Sequence, residues 1–264
     1  MALLESKQAC KFFGGLKAVD HVDMQVQQGE IFGIIGPNGA GKTTFFNLCA
    51  GTYPLTSGEI WFDGVNITGY RPHQAAKAGI ARTFQNIQLF QNTSVLENVM
   101  VGFHVHTKTN MLDAVLKNSR QRQTEKEVYE KSAALLERLE LGQYKDTMAK
   151  NLPYGIQRKV EIARALAISP KILLLDEPAA GMNPNETQEL LEFVKKLNAE
   201  GLTIVVIEHD LKFVMNVCDR IMVLNYGNKI CEGAAPQVQA NREVQEAYFG
   251  KSVALGGRGE DSAC

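Results

Sequence analysis

Residues 36–44 read GPNGAGKTT and directly follow the apolar run Ile31, Phe32, Gly33, Ile34 and Ile35. The spacing is G-x-x-x-x-G-K-[ST] in full: Gly36, Gly41, Lys42 and Thr43 stand at the required offsets, and Pro37, Asn38, Gly39, Ala40 and Thr44 complete the loop. Glycine lets the backbone turn tightly and approach phosphate closely, so that successive N–H groups converge on its oxygens. Lys42 adds a mobile positive charge for the β and γ phosphates, and the Thr43 hydroxyl is a suitable Mg²⁺ ligand. A helix starting near Gly41 aims its positive end at the same anion. A chance glycine-rich turn has no reason to carry Lys and Thr at these positions after a buried strand, so the loop implies nucleotide binding.

Three further elements supply the chemistry a phosphate loop lacks. Asp176 and Glu177 end the run LLLDEP; Asp176 can hold Mg²⁺ through water, and Glu177 can polarise the attacking water as general base. Two acids after four apolar residues fit a solvated strand end poorly. Gln85, in Arg82-Thr83-Phe84-Gln85-Asn86, carries an amide that can bond both a Mg²⁺-bound water and the nucleophilic water. His209, placed one residue past a strand expected to end at Glu208, can donate to the γ-phosphate and orient Glu177. His21, His73, His104 and His106 read as structural, since none has a ligand or base partner in sequence.

The elements that must position these groups follow from pattern. Alternation at Val22, Met24 and Val26, and again across residues 58–64, predicts antiparallel strands flanking the loop. From residue 94 to about 150, Val128, Leu135, Leu136 and Leu139 recur at helical spacing among charges, which predicts an inserted helical lobe; residues 104–118 are the least regular part. Runs at 171–176 and 203–208 predict buried parallel strands. Between them Asn183 caps a helix, Pro184 suits its first turn, Glu186 completes a capping box, Leu190, Val194 and Leu197 form the buried stripe, and Gly201 closes it. Residues 251–264 are Gly-rich and polar and read as a disordered tail.

Composition sets outer limits. The 264 residues carry a net charge of −1, which gives no electrostatic reason to expect nucleic acid as a partner. The five cysteines are scattered and form no C-x-x-C pair, as expected of reduced thiols. The opening residues do not read as a basic, apolar leader, and no apolar stretch approaches the roughly 20 residues that span a bilayer. Any membrane role is therefore expected to run through a partner.

These elements in this order, with Leu152-Pro153-Tyr154-Gly155-Ile156-Gln157 leading into residues 158–165, resemble the ATPase subunits of ABC transporters over nearly the whole chain. The resemblance implies an α/β fold: a P-loop NTPase (RecA-like) core with an antiparallel β subdomain and an inserted helical subdomain at about 91–165, in one domain over 1–250. It implies ATP and Mg²⁺ as ligands, the metal held by Thr43, Gln85 and Asp176, and two such subunits sandwiching two ATP molecules head to tail. Phe13 then corresponds to the adenine-stacking aromatic, residues 179–183 to a loop crossing the dimer interface, and Pro153, Tyr154, Gly155 and Gln157 to the signature that completes the opposite subunit's site.

That signature departs from the usual L-S-G-G-Q. Pro153 stands where serine would offer a hydroxyl and has no N–H, so the site it completes is expected to be the weaker of two in an asymmetric pair. Within the family, residues 82–90, the tyrosine-containing signature, residues 177–184 and the closing Ala247-Tyr248-Phe249-Gly250 look most like the larger ATPase subunit of branched-chain amino acid importers. Urea and short-chain amide importers share much of this. The resemblance implies integral-membrane permease subunits, a second ABC ATPase subunit and, indirectly, a solute-binding protein as partners, at the cytoplasmic face of the cell membrane. Rival readings are a soluble, non-transport ABC ATPase, which usually has fused cassettes or a long coiled-coil insertion, and a P-loop kinase, which needs no signature helix. Ile87, Leu89 and Phe90 beside Gln85 form a candidate docking groove for a permease helix, with core packing as the alternative.

Overall fold

The computed structural model describes residues 2–103, 105 and 119–249. His104, His106, most of the irregular segment and the tail from 250 lie outside the described residues. The chain divides into two compact units, one formed by residues up to 71 with those from 194 onward, the other by Pro72–Phe193.

In the first unit, β1 (Ala2–Phe13), β2 (Leu16–Gln27), β4 (Ser57–Phe62) and β5 (Val65–Asn66) form an antiparallel sheet in the order β2-β1-β4-β5. Val22, Met24 and Val26 are buried in β2 at the predicted two-residue period, because only one face of this sheet is covered. Between β2 and β4 comes β3 (Ile31–Ile35), buried at every residue. It pairs in parallel with β8 (Thr203–Ile207) and with β9 (Arg220–Asn225), and β10 (Asn228–Gly233) closes the edge as an antiparallel neighbour of β9. β3 and β8 are buried at every residue, as a parallel strand covered on both faces must be, which is why both read as continuous apolar runs.

Helices complete this unit. The first, α1 (Lys42–Cys49), follows β3 through the phosphate loop. After β8 comes α7 (Leu211–Val217), whose Asp210 cap accepts from the Lys212 and Phe213 N–H groups. Two short helices end the described chain, α8 (Ala235–Ala240) and α9 (Arg242–Phe249). Val238 and Val244 from these helices pack with Ile35, Val214, Ile221 and Val223 into one apolar cluster, against which Tyr248 lies.

The second unit holds α2 (Pro72–Ala78), β6 (Ile80–Arg82), α3 (Val95–Phe103), α4 (Ser119–Arg138), α5 (Tyr154–Leu166), β7 (Ile172–Asp176) and most of α6 (Pro184–Ala199). β6 and β7 pair in parallel, with Ala81 opposite Leu173. In the helical part Val128 and Leu136 of α4 and Leu139 just beyond it are buried, while Leu135 is half-buried. Ser94 and Glu97 form a reciprocal cap at the start of α3. At α6 the capping box is also present: Asn183 Oδ1 accepts from the N–H groups of Asn185 and Glu186, and Glu186 Oε2 accepts from the Asn183 N–H. Leu190, Val194 and Leu197 are its buried stripe.

Candidate nucleotide-binding and hydrolysis site

The phosphate loop is shaped by what its glycines touch. Gly41, the residue capping α1, has φ 99°, and a Cβ there would run into the Ala18 carbonyl oxygen. A Cβ at Gly36 would run into the Leu224 carbonyl oxygen. No side chain caps α1 and its first turn holds no acid, so its positive end is left for an anion. Lys42 is buried, and its Nζ donates to the carbonyl oxygens of Gly36 at 2.7 Å and Pro37 at 3.1 Å. The loop thus holds its own lysine over the turn. Thr43 is exposed and Thr44 half-buried, while Phe45 and Phe46 bury the other side of the helix.

Phe13, 46% exposed, stands edge-on to Tyr53 with ring centres 5.8 Å apart. Lys11 Nζ lies 5.1 Å from the Phe13 ring and 6.0 Å from the Tyr53 ring. Tyr53 was not legible beforehand: it sits in a turn after α1, with no periodicity to single it out. His21, read as having no partner, in fact places Nδ1 2.7 Å from Asp20 Oδ1, a carboxylate that Lys17 also engages at 2.9 Å.

The expected position of His209 needs a correction. β8 ends at Ile207, so Glu208 already lies beyond the strand and His209 is two residues past its end. Glu208 is fully buried like the strand residues before it, and its Oε2 accepts from the His209 N–H at 3.2 Å. The His209 ring stays mostly exposed, with Nδ1 3.8 Å from that carboxylate.

In the second unit the acids behave differently from each other. Asp176 ends β7 almost fully buried, and the Arg82 guanidinium pairs with its Oδ2 at 2.9 Å. Burial raises its pKa; Arg82 works against that, and Glu177 adds to it by repulsion. Glu177, half-buried, adopts φ 45°, a left-handed conformation that costs a non-glycine residue on the order of 1 kcal/mol. The bend swings its side chain to Gln85, whose Nε2 donates to Glu177 Oε2 at 2.8 Å. Two of the predicted site residues, 92 positions apart, are therefore joined directly.

What fixes Gln85 was missed by sequence reasoning. Arg158, on the first turns of α5, is wholly buried; its Nη1 donates to the Phe84 carbonyl and to Glu161 Oε2, and its Nη2 to the Gln85 carbonyl, each at 2.7 Å. Glu161 Oε1 in turn accepts from the Gln88 N–H, and Arg164 Nη1 donates to the Gln88 carbonyl. Burial raises the Glu161 pKa, opposed first by Arg158. The signal was present as an Arg and a Glu three apart among apolar neighbours, where one helix face should have been uncharged.

The signature residues sit at the start of α5. Pro153 occupies the cap position without a side-chain hydrogen bond, as its chemistry requires. The Gly155 N–H is met by Glu186 Oε1 at 3.4 Å, and Gln157 Nε2 donates back to the Leu152 carbonyl. Tyr154 is partly exposed beside Gly181. In the groove next to Gln85 the expectations separate: Leu89 is core, Ile87 is half-buried, and Phe90 is 53% exposed.

A phosphate loop on a strand-to-helix turn, an acid pair closing a parallel strand, and a signature helix clamped to a glutamine loop are the parts of one known machine. The ABC transporter family profile matches residues 19–180. The chain belongs to that family. A second profile, that of the branched-chain amino acid ATP-binding cassette transporter, matches residues 228–254. The high-affinity branched-chain amino acid transport ATP-binding protein BraF of Pseudomonas aeruginosa is 42% identical, covering 95% of this chain and 98% of its own. LivG of Escherichia coli, named for the same transport, is 43% identical over 91% of this chain and 94% of its own. Among solved structures, a nucleotide-free ATP-binding cassette from an ABC transporter superposes with TM-score 0.83 at 34% identity, covering 95% of this chain and all of that one. A dimeric cassette in a post-hydrolysis state with ADP and Pi gives TM-score 0.72 at 26% identity, covering 88% of this chain and 98% of that one. The fold expected of the cassette, a nucleotide-binding core with antiparallel and helical additions, is the fold found.

Proposed function

We propose that the chain is the ATP-hydrolysing subunit of an importer for branched-chain amino acids, acting on separate membrane permease subunits. The observation that carries the hydrolytic part is the Gln85–Glu177 hydrogen bond, which puts a water-orienting amide and a general base on the same atoms. The transported solute rests on the names of the relatives at 42% and 43% identity and on the profile over residues 228–254.

The roles follow from chemistry. Lys42 leaves the Gly36 and Pro37 carbonyls for the β and γ phosphates of ATP, while the loop amides and the α1 terminus hold the rest of the charge. Phe13 stacks the adenine. Glu177 takes a proton from water as the water oxygen bonds to the γ-phosphorus and the bond to the bridging oxygen breaks, giving ADP and inorganic phosphate. His209 donates to the γ-phosphate. Thr43, Gln85 and Asp176 offer hydroxyl, amide and carboxylate oxygens, the all-oxygen set that suits Mg²⁺, and would hold the ion. Bound there, Mg²⁺ neutralises charge on the phosphates.

Two cassettes close on ATP because each nucleotide would contact the phosphate loop of one and the signature of the other, so the ligand favours the closed pair. With Pro153 in its signature, this chain's intact catalytic residues form the competent site when a different cassette supplies a standard signature. No described helix is long and apolar enough to cross a membrane, which suits a subunit held at the cytoplasmic face by its permease. A solute-binding protein delivers the amino acid on the other side.

Proteoliposomes containing the chain, its permease and its second cassette decide the matter. ATP-dependent leucine uptake that disappears with Lys42→Ala supports the proposal. Uptake of urea or a short amide in place of leucine would overturn the solute, and ATP hydrolysis with no uptake of any solute would overturn the transport role.

A further inference from the structure

Arg82 closes β6 and Asp176 closes β7, and the register of these two parallel strands brings their side chains together. Arg82 stands opposite Leu174. Leu174 and Asp176 are two residues apart on one strand and project to the same face, so Asp176 is the next side chain along from Arg82 on that face. The ladder runs one step past β6, with the Thr83 N–H donating to the Leu174 carbonyl at 2.9 Å. The Arg82 guanidinium donates from Nη2 to Asp176 Oδ2 at 2.9 Å, and the two side chains are only 13% and 4% exposed. The Phe84 ring lies beside the same guanidinium, its centre 5.2 Å from the guanidinium carbon. Arg158, which reaches this segment at the Phe84 carbonyl, has its own charge matched by Glu161 at 2.7 Å.

Residues 82–85 thus supply a separate donor to each of two adjacent acids: Asp176 receives a cation, and Glu177 the neutral amide of Gln85 at 2.8 Å. The cation is the one that matters for a metal. A guanidinium bonded to a carboxylate repels any divalent ion that the same carboxylate would hold, and does so more strongly where both groups are shielded from water. Mg²⁺ in turn is commonly held by one or two carboxylates together with substrate phosphates. We infer that Arg82 is a positioning residue that sets the strength of the metal site: it holds one oxygen of Asp176, and its charge lowers the affinity of that carboxylate for Mg²⁺. The ion then depends on the nucleotide phosphates for the rest of its hold, so metal and ATP bind as a unit. The inference rests on the Mg²⁺–ATP reading above, with Asp176 as a ligand of the ion.

The test uses the full chain, and its readout is the calorimetric Kd for ATP in EDTA divided by the Kd for ATP in saturating Mg²⁺. A general weakening of the nucleotide site cancels from this ratio, which reports the part of the affinity that the metal brings. Arg82→Gln keeps a donor within the reach of a shorter side chain and removes the charge; its ratio should rise about tenfold or more, as expected for one unit charge a few ångströms from a divalent ion. Arg82→Lys keeps the charge without the planar fork, and its ratio should stay within about threefold of the unaltered chain. Adding Asp176→Asn to Arg82→Gln should abolish the gain. An unchanged or smaller ratio in Arg82→Gln would overturn the inference, as would a gain that survives Asp176→Asn. If Arg82→Gln folds too poorly to titrate, Arg82→Lys still decides: a kept ratio supports the role of the charge, and a large change in either direction overturns it. An unaltered chain that binds no ATP removes the ATPase reading and this one together, and one that binds ATP equally well with and without Mg²⁺ removes the metal assignment. Mg²⁺-dependent binding by the unaltered chain with the same ratio in Arg82→Gln removes this inference alone.

Discussion

The side-chain amide of Gln85 donates to the Glu177 carboxylate at 2.8 Å, and Glu177 makes this contact from a left-handed backbone conformation, φ 45°. The amide fixes the direction in which the carboxylate points. Glu177→Gln should bind ATP with unchanged affinity and lose about 10²- to 10⁴-fold in turnover, the usual span for a general base. In the complex with a second cassette of standard signature, phosphate release should fall to nearly nothing. Substantial residual release would show that this chain's own residues do not form the competent site.

The buried Arg158–Glu161 pair should be costly to halve. Arg158→Met leaves a buried carboxylate uncompensated and two carbonyls without their donor, a loss of about 3–5 kcal/mol by denaturant unfolding. Its pH dependence has a definite sign. Glu161 in the folded chain holds its proton above the ordinary value of 4.5, so its ionisation weakens the fold as pH rises from there through the folded value. Removing Arg158 raises the folded value further. The deficit of the variant should therefore be larger near neutral pH than at about pH 5; a deficit that grows on acidification would contradict this account.

Neighbouring positions in the Gln85 loop should respond oppositely to the same charge. The Phe90 backbone is held by Asn98, whose Oδ1 accepts from its N–H at 2.9 Å and whose Nδ2 donates to its carbonyl at 3.1 Å, while the ring projects to solvent. Phe90→Asp should fold, hydrolyse ATP and fail to drive uptake in proteoliposomes. Leu89→Asp buries a charge in the core and should cost several kcal/mol, visible as loss of the cooperative thermal transition. Normal uptake by Phe90→Asp would exclude this ring from the permease contact.

Glu186→Ala should cost about 1 kcal/mol, or roughly 2–4 °C in melting temperature, because half of the α6 capping box goes with it. A melting temperature equal to that of the unaltered chain would mean the box contributes nothing.

The parts of this cassette that a single stretch of chain determines were readable in sequence. The phosphate loop, the acid pair at the end of β7, the α6 cap and stripe, and the alternation of β2 each depend on neighbours within a few residues, so spacing carries them. Arg158 and Tyr53 depend on what arrives from elsewhere: the Arg–Glu spacing on α5 is visible in sequence, but the groups Arg158 holds are set by residues 84 and 85 passing beside it. Glu208 continues the buried run in sequence, yet the strand pairing stops at Ile207, so His209 lies one residue farther from the strand than expected. Leu89 and Phe90 show the same limit from the other side, since two adjacent apolar residues look alike until packing separates them.

Glu186 divides its carboxylate between the Asn183 and Gly155 backbones, one oxygen to each. Glu186 therefore ties the turn before α6 to the head of α5. A pull applied to either segment would therefore load the other through this one carboxylate.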